Sequence, residues 1–136
     1  MDLDIHQMFD VYTKEIRSIL ELAVPVWHSG LTNQQTADIE SVQRVAMRII
    51  LQNKYTNYES ACQTFSAQTL SERRTKLCIK FATKNLKSDN SFFTKVGTNV
   101  QTRQKNNLVN EFKCNLGRFF KSSLPYLARL LNDNNN

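Results

Sequence analysis

The sequence predicts an all-α fold, an irregular bundle of four to five helices with a less regular C-terminal third. Three observations carry that expectation. Apolar residues recur at gaps of three and four over long stretches, which places them on one stripe of a helix. Polar capping residues stand where those stretches begin. Only three glycines and two prolines occur in 136 residues, too few to turn a set of tight hairpins.

The elements follow in order. From Leu3 to about Ala23, Ile5, Met8, Phe9, Tyr12, Ile16, Ile19, Leu20 and Ala23 form one broad apolar stripe on a long helix. Pro25 has no N–H and disfavours helical geometry at Val24, so a kink or an end is expected there. Ser29-Gly30 then lets the chain turn. Thr32-x-x-Gln35 has the form of a capping box and should open a second helix to about Leu51. Its expected core face is Ile39, Val42, Ala46, Ile49 and Ile50, with Glu40 and Arg44 as an i,i+4 pair. Asn57 can cap a short third helix through about Phe65.

Thr69-x-x-Glu72 is a second capping box, opening a helix to about Leu86. Phe92 and Phe93 should anchor a short turn or helix to the core. Thr98–Asn107 has no usable period and is expected to be the most mobile internal segment. Residues 108–123 are ambiguous between helix and extended chain, and Ser123 with Pro125 marks the start of a last short helix, "PYLARLLN". These elements suggest one helical domain over 1–131. It comprises an acidic kinked helix (1–30), a basic helical body (32–96) and a C-terminal segment (97–131), before a disordered polar tail (132–136).

Charge is divided as unevenly as the elements. Residues 1–40 carry two bases and seven acids, a net of −5, while residues 41–131 carry sixteen bases and four acids, a net of +12. A basic body behind an acidic leading segment suits a polyanion partner or an acid–base contact. No apolar run approaches a membrane span, and the acidic opening "MDLDIHQMFD" lacks the pattern of a secretory signal. Cys62, Cys78 and Cys114 are odd in number and widely spaced, which disfavours disulfides. An intracellular location, nucleus or cytoplasm, is the expectation.

The most informative run lies in the helix after Thr69. Arg73, Lys76, Lys80, Lys84 and Lys87 are separated by three, four, four and three residues, and so share one ridge beside an apolar face of Leu77, Cys78, Phe81 and Ala82. Like charges at i,i+4 oppose helix formation by about 0.2–0.5 kcal/mol per pair, so a purely structural role would favour alternating signs. A line of cations can follow a phosphate backbone and release its counterions. Arg44 and Arg48 form a shorter ridge of the same sign. The competing reading is a solvated face, or one paired with acids of the first helix.

No catalytic constellation is legible. A Gly-rich phosphate loop, a His-Glu-x-x-His and paired cysteines are all missing, and His6 and His28 have no ligand partners at metal spacing. The four acids of the basic body are isolated, whereas two-metal nucleotidyl transfer needs clustered carboxylates. The expectation is a chain that is no enzyme by itself, with no metal and no cofactor.

Several blocks nevertheless resemble a known pattern. Tyr12–Ile50 is similar to the segment downstream of the polymerase palm in non-LTR (LINE-type) retrotransposon reverse transcriptases, where "IRSxLEYxxPVW" is followed by "LExVQRRAxRII". Ile16-Arg17-Ser18, Leu20-Glu21, Pro25-Val26-Trp27 and Val42-Gln43-Arg44 match in type and order. Tyr55–Ala82 resembles "YxEALxxLGLxTLxxRRxxLCLKFA", and Ser122–Asn132 resembles the family's C-terminal ending. Leu22-Ala23 and Phe65-Ser66-Ala67, the latter in place of Leu-Gly-Leu, depart from the pattern. The family's catalytic aspartates lie upstream on a Phe/Tyr-Ala-Asp-Asp motif, and Phe81-Ala82-Thr83-Lys84 is not that motif.

The resemblance implies a thumb-like module without the palm, gripping the backbone of RNA, DNA or an RNA–DNA hybrid. Arg73, Lys76, Lys80, Lys84 and Lys87 would contact phosphates, with Arg44 and Arg48 in support. The palm of a parent polymerase is a further implied partner. The rival is a helical protein–protein or self-association module in which the acidic first helix meets the basic body of another copy, and a domesticated or degenerate retroelement remnant is a third reading. Trp27, the sole tryptophan, is expected to plug the joint between the first two helices, with base stacking as the alternative.

Overall fold

The structure, a computed structural model, describes residues 4–95 and 107–135. Among the described residues it is helical without strands, an all-α fold as the periodicity predicts. Contacts divide the chain into two compact units. The first comprises the residues up to Val24 together with Leu31–Arg74; the second comprises Pro25–Gly30 and the residues from Thr75 onward.

The first unit opens with α1 (Ile5–Val11), started by a capping box between Asp4 and Gln7. The chain then makes a π-helical stretch, Tyr12–Arg17, before α2 (Ser18–Leu20). A π-helical turn spends one more residue than an α turn and so slips the apolar phase. The inward positions become Tyr12, Arg17, Glu21 and Val24, with Tyr12 and Val24 fully buried. Ile16 and Ile19, expected in the core, are 46% and 72% exposed. The break also comes earlier than Pro25 alone suggests. The chain turns over Glu21–Ala23, with Ala23 at φ 51°, and Pro25 lies in the first turn of α3 (Val24–Trp27), where a missing N–H costs no helical hydrogen bond.

Thr32 caps α4 (Asn33–Leu51) as predicted: its Oγ1 accepts from the Gln35 N–H at 3.2 Å, and its own N–H donates to Gln35 Oε1 at 3.0 Å. The buried face of α4 is Gln43, Met47, Ile50 and Leu51. Val42, Val45 and Ile49 are 37%, 50% and 67% exposed. The helix is thus rotated by about one position from the hydropathy-based face, because Gln43 enters the core fully hydrogen-bonded. Asn57 caps α5 (Tyr58–Thr64) by accepting from the Ser60 N–H at 2.7 Å. Met47, Leu51 and Ala61 form the apolar centre, with Phe9 and Phe65 stacked nearby at 4.2 Å.

From Leu70 the chain forms α6 (Leu70–Leu86), whose first residues belong to the first unit and whose remainder belongs to the second. In the second unit α6 buries Cys78, Ala82 and Leu86, while Leu77 is half-buried and Phe81 is 41% exposed. Phe93 is buried and Phe92 is not, so one of the two expected anchors serves. Lys95 and Val109 form an isolated antiparallel bridge, supported by the Asn110 N–H donating to Thr94 O at 2.9 Å. The aperiodic segment from Thr98 lies outside the described residues, apart from Asn107.

After α7 (Gly117–Phe120), α8 runs from Ser123 to Asn135, well past the short helix expected. Asn132, assigned from composition to a disordered tail, is 3% exposed. Its amide clasps both backbone groups of Val109, accepting at 3.0 Å and donating at 3.1 Å. Pro25–Gly30 packs in this unit as well. Ser123 Oγ donates to Pro25 O at 2.7 Å, and the His28 ring lies edge-on to Tyr126 at 5.6 Å. Trp27, expected as a buried plug at the joint of the first two helices, is only half-buried and belongs to the second unit.

Candidate nucleic-acid interface

The ridge-bearing helix is held at its start by groups far away in sequence. The Thr69 hydroxyl accepts from the Glu72 N–H at 3.2 Å, as the capping motif predicts. The Glu40 carboxylate completes the cap, accepting from the Leu70 and Ser71 N–H groups at 3.0 and 3.1 Å. It satisfies orphan donors of α6 and places negative charge at the positive end of the helix dipole. Glu40 thus does not serve Arg44, as i,i+4 spacing suggested; it also accepts from the Tyr58 hydroxyl.

That hydroxyl belongs to a buried polar chain. Gln43 Nε2 donates to Tyr58 Oη at 2.8 Å and to Gln68 O at 3.0 Å, and Gln43 Oε1 accepts from Tyr12 Oη at 3.2 Å. Burial pushes the Tyr12 phenol up to about 12. Burial, reinforced by the hydrogen bond to Glu40, drives the Tyr58 phenol still further upward. Both therefore remain neutral donors at ordinary pH.

The first cation of the predicted ridge is drawn into this framework. Arg73 makes a two-pronged contact to Glu21, through Nε and through Nη2 to Oε2 at 2.9 Å, and the pair is only 29% and 15% exposed. The Glu21 hydrogen bond holds the Arg73 guanidinium above its ordinary pKa, whereas burial and then the nearby Arg73 charge lower that of Arg17. Arg73 is consequently compensated and unsuited to gripping phosphate. Arg74, beside it, is 1% exposed, a buried cation that the spacing did not reveal.

Downstream the picture changes. Lys76, Lys80 and Lys84 are exposed on one face of α6, and Lys87 follows one residue past its end, also exposed. Among the described residues none of these four lysines forms an ion pair. Arg44 and Arg48 are exposed on α4, each lying over a tyrosine: Arg44 is 5.5 Å from the Tyr58 ring centre and Arg48 is 5.4 Å from that of Tyr55. Such cation–π contacts orient the guanidinium planes without neutralising them.

Among the described residues, no group of three or more His, Cys, Asp or Glu side chains is placed to hold a metal ion. No helix among them is long and apolar enough to cross a membrane. No family model, curated protein or solved structure matches the chain.

Proposed function

We propose that this chain is a non-catalytic, largely sequence-independent nucleic-acid-binding module related to the post-palm region of a non-LTR reverse transcriptase. The observation that carries the binding reading is the row Lys76, Lys80, Lys84 and Lys87, exposed and without carboxylate partners among the described residues. Each lysine that neutralises a phosphate releases counterions, so affinity should fall steeply with salt. A row of point charges reads backbone and shape rather than base edges.

Two structural details support the kinship. The polar residues that carry the resemblance come from three separate blocks: Arg17 and Glu21, Glu40 and Gln43, and Thr69 to Arg73. The fold joins them into pairs and caps within one unit. Ser66 stands where the pattern has glycine and adopts φ 49°, a backbone conformation that favours glycine.

Titration of a labelled RNA–DNA hybrid at two salt concentrations tests the binding reading. Four phosphate contacts predict a log–log salt slope of about −3 to −4. Replacing all four lysines by Gln should flatten that slope. Absence of binding at low salt, or an unchanged slope in the variant, overturns the reading.

The self-association reading is favoured by a different feature, the exposed apolar face of Val42, Val45 and Ile49 on α4. Light scattering of the wild type against Ile49→Lys separates the two. An oligomer that the substitution abolishes, with no affinity for nucleic acid, selects self-association.

A further inference from the structure

The second unit holds a groove that differs in kind from the ridge. Val26, Trp27, Ser29 and Gly30, together with Arg118 and Lys121, line an opening of about 520 Å³. Trp27 is half-buried, while Arg118 and Lys121 are exposed and form no ion pair among the described residues. The groove therefore combines a flat aromatic ring with two uncompensated cations.

Its walls are fixed by contacts within the unit. The Ser123 hydroxyl holds Pro25 O at 2.7 Å, and His28 rests edge-on against Tyr126, tying the segment that bears Trp27 to the start of α8. On the cationic wall, Ser122 Oγ donates to Phe119 O at 2.7 Å and Arg129 donates to Phe120 O at 2.9 Å. The segment between Arg118 and Lys121 is thus held by two hydrogen bonds. A site built in advance loses less entropy on binding.

The geometry points to this groove as a binding site for single-stranded nucleic acid, with a base stacked on Trp27 and flanking phosphates held by Arg118 and Lys121. Aromatic rings beside cations are the general means of holding unpaired bases, since every base offers a π-face. A duplex keeps its bases stacked inside and cannot fill such a groove. The ridge would then hold duplex, and the groove would hold strand whose bases are unpaired. The inference rests on the nucleic-acid reading only for its class of ligand.

The protein provides its own reporter, because Trp27 is the sole tryptophan. Titrating the full chain with a short oligouridylate should quench its fluorescence saturably. In the Arg118→Gln/Lys121→Gln variant, both substitutions at exposed positions, the apparent affinity should fall about tenfold. A variant with Lys76, Lys80, Lys84 and Lys87 changed to Gln should keep the quench while losing the hybrid duplex. Unchanged emission, or a quench insensitive to Arg118→Gln/Lys121→Gln, overturns the groove. A quench abolished only by the lysine changes assigns the strand to the ridge and also overturns it. A groove that binds while the duplex does not would leave this inference standing and sink the duplex reading.

Discussion

The two ends of α6 carry the same kind of charge and put it to different uses. At the start, Arg73 is clamped by Glu21 and Arg74 is enclosed, and the backbone N–H groups are capped by Glu40. Further along, Lys76, Lys80 and Lys84 look outward without carboxylate partners among the described residues. Helical spacing treats all five ridge cations alike. What separates them is the inward-facing Glu21 of the first unit, which follows the π-helical slip and meets Arg73. A row of charges therefore divides into a structural part and an available part according to what the tertiary fold sets opposite it.

The largest expected effect breaks the structural end. Glu40→Ala removes acceptors from two α6 N–H groups and from the Tyr58 hydroxyl, and should cost about 3 kcal/mol in urea unfolding. A loss below about 1 kcal/mol would mean that the cap does not hold the helix start.

Alkali should weaken the same network. The Tyr12 phenol is raised from 10 to about 12, so in this window the unfolded chain has released a proton that the folded chain retains. That contribution is fully present below pH 10 and is lost as pH rises through about 12. The slope is about 1.4 kcal/mol per pH unit for the retained proton. Tyr12→Phe should fall less steeply over that window; parallel curves would remove Tyr12 from the buried chain.

Glu21→Ala sharpens the comparison because it should move two quantities in opposite directions. Stability should drop by about 1 kcal/mol as the clamped pair is lost. Released Arg73 then becomes a further cation, and the salt slope for duplex binding should steepen by about one unit. A less stable protein that binds no more steeply would show that Arg73 lies off the ridge even when unpaired.

Much of the helical plan is legible in the sequence. Thr32, Asn57 and Thr69 announce helix starts because a cap is a local event, decided within three residues. Phase was less legible. The slip at Tyr12–Arg17 cannot be read from side-chain spacing, and it moves Ile16 and Ile19 outward. Gln43 looks like a surface residue until Tyr12, Tyr58 and Gln68 supply its partners from elsewhere. Asn132 is buried for the same reason, by the backbone of Val109. The period of the candidate-site lysines is legible in the sequence, but the pairing of Arg73 depends on Glu21, brought from 52 positions away. No local pattern reports such an encounter.

The smallest effect concerns a turn and changes no partner. Ser66 follows α5 at φ 49°, in the left-handed region that costs an L residue about 1–2 kcal/mol. Ser66→Gly relieves that strain, and the greater freedom of glycine in the unfolded chain takes back part of the gain. The net should be a rise of about 0.5–1 kcal/mol in stability, read from the shift in the urea midpoint. Ser66→Ala retains the Cβ and should not reproduce it. The side chain is exposed and the ridge lies elsewhere on the chain, so duplex affinity should stay constant. If glycine and alanine act alike, the left-handed turn is not the constraint on this position, and the match to a glycine in the retroelement pattern loses its physical basis.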